Sequence, residues 1–183
     1  MHSARGWQHA RLISMIDPNQ PARCRLLLKH GILPALALIG TDKFKSREAI
    51  ALMLAIAMQE SRIQFRAQIG GPAMGFYQFE RGGGVHGVLF HRTTKHIAAA
   101  ACDALMIEAS TYQVYNAIQY QDVLASVMAR LLLWTAPAAL PTFAQGPQAG
   151  WDYYLSLWRP GKPHPNTWGA FWDMAWAVAR EAE

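Results

Sequence analysis

Cysteine and charge are what this chain has least of. Two cysteines, Cys24 and Cys102, occur in 183 residues, far apart and each among helix-forming neighbours. They offer no metal-binding spacing, and sequence alone neither indicates nor excludes a disulfide, so reduced, buried thiols are the default expectation. Charged residues make up only 16% against 52% hydrophobic, an apolar balance that suggests an extended contact surface on a larger assembly. No apolar h-region precedes Asp17-Pro18, so no secretory signal peptide is expected. The longest uncharged stretch, residues 131–151, is broken by Pro137, Pro141, Gly146, Pro147 and Gly150, which argues against a transmembrane segment. The glycine run Gly82-Gly83-Gly84 is not followed by the lysine and helix cap of a phosphate-binding loop. His86, His91 and His96 stand five apart, fitting neither one helix face nor a zinc spacing, so neither metal nor cofactor is expected.

What is present is basic and mostly helical. The net charge is +5 and the isoelectric point about 9.5, which favours anionic partners through long-range electrostatics. The cations of the first quarter, from Arg5 to Arg47, are dispersed over several expected helices without a recognition motif, so no specific nucleic acid is expected. The length predicts one domain over residues 1–183, large enough to bury a continuous core without disulfide or metal.

Periodicity predicts a helix over residues 7–16, a second over 18–30 capped by Gly31, and a third over 33–39 with Pro34 in its first turn and Gly40 at its end. Ser46 then caps a helix running through Ala49, Leu52, Met53 and Ile56 to Glu60. Between Gly70 and Phe90, glycine clusters bracket an alternating run that predicts a small β-hairpin or extended loop. Helices follow over 94–109, 121–134 and 151–158, then a stiff turn at Arg159-Pro160-Gly161-Lys162-Pro163, then a last helix to about Arg180. Trp168, Trp172 and Trp176 recur every four residues and read as core. The fold class is mainly α: a helical bundle with one small β-hairpin after the helix that carries Glu60.

Glu60 is the candidate for chemistry. Ala57, Ile56 and Met53 share its helical face, so burial disfavours its charge, and the outward carbonyls of the helix end disfavour an anion further. Both effects raise its pKa toward that of a general acid working near neutral pH.

Glu60-Ser61 ends a helix, and Gly71-Pro72-Ala73-Met74-Gly75-Phe76-Tyr77-Gln78 follows about ten residues later. Together these resemble the lysozyme-like superfamily, and within it the lytic transglycosylases that cut bacterial peptidoglycan. In that family a Glu-Ser pair is followed by Gly-Ala-x-Gly-Leu-x-Gln, which here carries an inserted proline and Phe76 in place of leucine. The resemblance implies an α+β lysozyme-like fold and cleavage of the β-1,4 bond between N-acetylmuramic acid and N-acetylglucosamine by one catalytic Glu60. It implies that Ser61 braces the carboxylate or touches the sugar, although its hydroxyl could equally satisfy helix-end carbonyls. It implies that Gly75 shapes the turn and that Gln78 bonds the N-acetyl groups. Tyr77 and Phe76 alternate, so one packs inward while the other stacks on a sugar.

Tyr112, Tyr115, Asn116 and Tyr120 suit a carbohydrate groove or the edge of a helical core. The family's later tyrosine, which approaches the catalytic acid, has its nearest counterpart at Phe143 in Thr142-Phe143-Ala144-Gln145-Gly146-Pro147. Tyr115-Asn116-Ala117 has similar letters but comes early. The leaderless, apolar, basic chain looks like a bacteriophage product, virion-associated or held in the host cytoplasm before release. Its partners would be peptidoglycan and other virion proteins. The alternative is a non-catalytic structural virion protein on the same scaffold.

Overall fold

A computed structural model of the protein describes residues 17–40 and 42–182. The helix expected over residues 7–16 lies outside them. The described residues are mainly helical, and the order of their longer elements follows the sequence expectation, with three instructive differences.

The first helix does not stop at Gly31. Helix α1 (Gln20–Leu27) runs through a π-helical turn (Leu28–Ile32) straight into α2 (Leu33–Ile39), where Gly40 ends it with φ 76°. Pro34 has no N–H and its ring crowds the preceding turn, and the wider turn, closed by Leu33 N–H donating to Leu28 O, lets the chain remain helical across it. Gly31 serves packing instead of capping. A Cβ there would lie 2.8 Å from Leu27 Cδ1 and 3.1 Å from Ser126 Oγ, so its hydrogen lets the π-helical turn approach the helix that carries Ser126.

Helix α3 (Arg47–Ser61) is capped as expected, Ser46 Oγ accepting from Ala49 N–H at 3.1 Å. Every side chain from Ala49 to Met58 is buried, on all sides of the helix. An α-helix apolar all round is a core element, and α3 packs most extensively against the last helix, α9 (Trp168–Ala179). The intervening helices are α4 (His86–Phe90), α5 (Lys95–Ala104), α6 (Thr111–Ala117), α7 (Asp122–Thr135) and α8 (Gly146–Trp158). The described residues contain no helix long and apolar enough to cross a membrane.

The second difference concerns the hairpin. It is reduced to two isolated antiparallel bridges, Ala67 with Met74 and Met74 with Phe79. The segment is too short and too curled for a ladder: Gly75 has φ 72° and Gln78 φ 48°, closing a turn in which Gln78 N–H donates to Gly75 O at 3.1 Å. The glycine run that was to bracket the hairpin becomes a helical turn (Arg81–Val85), kinked at Gly83 where φ is -96° and ψ -107°, leading into α4.

Two helical segments form the third difference. Helix α6 occupies the tyrosine-rich stretch, opened by Ser110 Oγ accepting from Gln113 N–H at 3.2 Å. Helix α8 begins five residues ahead of the expected 151, because Pro147 fits the first turn of a helix rather than breaking it. Cys24 and Cys102 are both free and buried.

Candidate functional site around Glu60

Glu60 stands where the central helix leaves the core. Helix α3 carries its carboxylate out at the penultimate position, and two successive left-handed residues, Arg62 (φ 58°) and Ile63 (φ 50°), then turn the chain sharply away. Left-handed backbone costs a side-chain-bearing residue roughly 1 kcal/mol or more. Ser61 offsets part of this. Its hydroxyl accepts from Ile63 N–H at 3.2 Å and donates toward Phe76 O at 2.7 Å, with Ala57 O 3.0 Å away. Ser61 is thereby buried as a brace for the turn, with its hydroxyl committed to backbone. The Phe76 bond also ties the two halves of the sequence motif together across fifteen residues of chain.

Among the described residues the carboxylate has one polar partner. Tyr154, on α8, donates its hydroxyl to Glu60 Oε1 at 2.5 Å. Burial pushes Glu60 up to about 7, and the Tyr154 bond works against that shift by favouring the anion. Burial and the neighbouring Glu60 push the Tyr154 phenol upward in turn, so it remains a donor.

Tyr154 is fixed by aromatic packing. Its ring stacks on Trp168 with centroids 5.3 Å apart and planes 16° apart, and Trp151 lies at 5.3 Å. Trp168 is itself pinned by its indole N–H donating to Pro147 O at 2.8 Å. Gln59, beside Glu60, holds the stiff 159–167 segment near the site: its amide donates to His164 O at 2.9 Å and its carbonyl accepts from Thr167 Oγ1 at 3.1 Å.

The glycine-rich turn is built against α6. Gly75 has positive φ, and a Cβ there would lie 2.6 Å from Ile118 O, so no other residue fits without moving backbone. Arg66 clamps the same region, donating to both carboxylate oxygens of Asp122 at 2.6 and 2.8 Å while its guanidinium lies over the Phe76 ring. Asp122 is therefore the ion-pair partner of Arg66.

The other sequence candidates fall in different places. Tyr77 is fully buried, with its hydroxyl 3.3 Å from Ser126 Oγ and its backbone carbonyl accepting from the Trp158 indole N–H at 3.0 Å. It has no surface to offer a sugar, which corrects the expectation for that residue. Phe76 is also buried, so neither member of the alternating pair is a stacking platform: the tight turn replaces a strand and places both rings in the core. Gln78 donates its amide to Gly75 O at 2.8 Å, which serves the turn. Tyr115 donates to Pro72 O, joining α6 to the turn. Asn116 is exposed and lines an open depression of about 460 Å³ with Met106, Ile107, Glu108, Gln113 and Ala117. Phe143 packs on Trp176, centroids 5.6 Å apart, with the Arg180 guanidinium over its ring. Glu80 is exposed.

Tyr154 is the residue that sequence reading missed. A signal existed: Gly150, Trp151, Tyr154 and Trp158 recur at helical spacing once Pro147 is read as opening a helix. All but Trp158, which is half-buried, are buried in the structure. Comparison with family models, curated proteins and solved structures finds no match to this chain.

Proposed function

We propose that the protein cleaves peptidoglycan as a lytic transglycosylase or muramidase with Glu60 as its single catalytic acid. The observation that carries this reading is the state of Glu60: a carboxyl at the end of a buried helix, pushed up to about 7 and held by one phenol at 2.5 Å. A carboxyl poised there has a substantial protonated fraction at neutral pH, which a general acid needs to protonate a glycosidic oxygen. Burial raises it and the Tyr154 bond opposes the shift; among the described residues these are the two influences on it. Hydrolysis with either stereochemical outcome ordinarily employs two carboxylates. One acid suits the transglycosylase route.

In that route Glu60 donates its proton to the bridging oxygen, and the substrate's own N-acetyl group steadies the developing cation. The resulting carboxylate, supported by Tyr154 O–H, then removes the proton of the muramic 6-hydroxyl as that oxygen attacks C1. The 1,6-anhydro bond closes and no water is consumed. The sequence resemblance and the Ser61–Phe76 bond joining its two halves also support this assignment. A bacteriophage origin, with the protein carried in the virion, completes the reading. The rival is a virion structural protein without turnover.

The experiment is a zymogram on purified peptidoglycan comparing the parent with Glu60→Gln. Loss of a general acid lowers the rate by at least about 100-fold. Clearing by the parent and none by the variant is the expected result, and equal clearing by both would remove Glu60 from the mechanism.

A further inference from the structure

Away from Glu60, three sulfur atoms from three different helices meet in the core. Cys24 on α1 is fully buried, and its Sγ lies 3.3 Å from Met58 Sδ on α3 and 4.0 Å from Met174 Sδ on α9. Gln20, one turn before Cys24, points its side-chain amide at the same sulfur from 3.9 Å. Met174 is only partly buried, so the cluster has one edge toward the surface.

One thiol and two thioethers form a soft donor set, which selects soft monovalent ions over hard or borderline ones. The two edges that meet at Cys24 suit three-coordination. A copper(I)–sulfur bond of about 2.3 Å, the length of a zinc–thiolate bond, sets the sulfurs of a trigonal plane about 4.0 Å apart, and the longer silver–sulfur bond sets them somewhat further apart. The Cys24–Met174 edge already has that length, and the 3.3 Å Cys24–Met58 edge must open by well under 1 Å. Methionine, unbranched and with three rotatable bonds, accommodates such a change.

We propose that Cys24, Met58 and Met174 form a trigonal site for a soft monovalent cation of the copper(I) or silver(I) class. As the ion enters, the metal–thiolate bond forms and the Cys24 S–H bond breaks, its proton leaving to solvent. No electron changes hands. The thiolate cancels the ion's charge, so the occupied site is neutral overall and can stay buried. No group of three or more histidine, cysteine or carboxylate side chains suited to a metal occurs among the described residues, so a borderline ion such as zinc finds no comparable set there. Occupancy would clamp α1 to α3 and α9 at a point two residues before Glu60.

The test titrates the full chain with silver nitrate in chloride-free buffer, and anaerobically with copper(I) supplied as its acetonitrile complex. The expected result is one equivalent of ion bound, one proton released per ion, and a raised melting temperature. Met58→Leu and Met174→Leu each weaken binding at least about tenfold, while Cys102→Ser leaves it unchanged. Met174→Leu, at a partly exposed position, is the variant that preserves the core, and circular dichroism establishes its fold. Binding of silver to that folded variant as tightly as to the parent would reduce the cluster to a lone reactive thiol and overturn the proposal. A parent melting temperature that fails to rise with the ion would overturn it equally.

Discussion

A carboxyl held near pH 7 makes stability depend on pH in the sense opposite to a salt-bridged acid. Glu60 rises from an ordinary 4.5 to about 7 on folding, mainly through burial. Between those values the folded protein keeps a proton that the unfolded chain releases. The stability Glu60 contributes is therefore complete below about pH 4.5 and is lost as pH rises through about 7. The full loss is on the order of 3 kcal/mol. Glu60→Gln cannot ionise, so it is expected to match the parent at pH 5 and to exceed it at pH 8, measured by denaturant unfolding at both values. A parent that outlasts the variant at pH 8 would show that the carboxylate is well solvated.

Tyr154 acts on the same proton from the other side. Its hydroxyl favours the anion, so Tyr154→Phe should raise the Glu60 pKa further, read by NMR titration of the carboxyl carbon. A pKa unmoved or lowered would mean that the 2.5 Å bond is not made in solution.

At the scale of elements, the turn that follows α3 is the part least tolerant of change. Gly75 combines positive φ with a backbone carbonyl 2.6 Å from where a Cβ would sit. Gly75→Val adds a branched side chain to both constraints and should cost more than about 2 kcal/mol. Thermal unfolding of that variant at the parent's temperature would refute the close approach to Ile118.

The same scale shows what sequence could and could not reveal. The capped central helix was legible because Ser46 and an unbroken apolar run carry their own signals, as did Gly40 and the tryptophan stripe of α9. Gly31 and Pro34 misled because their usual meanings, stop and start, assume an α-helix, whereas a single π-helical turn removes the conflict. Alternation from Phe76 to Phe79 suggested a strand, yet positive φ at Gly75 and Gln78 curls the chain before any ladder forms. The upward shift at Glu60 was legible, since the buried neighbours on its own helix foretell it. The pairing with Tyr154 was not: helical spacing places Tyr154 on a buried face, but that it meets a carboxyl 94 positions away depends on the packing of α8 and α9, which local periodicity does not encode.

For the whole molecule, the apolar surplus finds much of its explanation inside. Helix α3 is buried on every side over ten residues, and α7 is buried continuously from Leu124 to Leu133. A core helix needs apolar side chains all round its axis, which lowers the charged fraction of the chain without requiring an apolar exterior. The architecture then leads the buried helix to a single acid at its end, with tryptophans on two later helices fixing the phenol that meets it. The proposed single-acid chemistry follows from that convergence.

The most direct measurement is mass spectrometry of the products released from purified peptidoglycan by the parent protein, with Glu60→Gln as the control. The account predicts muropeptides ending in 1,6-anhydro rings, each lighter by one water than its hydrolytic counterpart, and none with the variant. Reducing-end products alone, or no products from the parent, would contradict it.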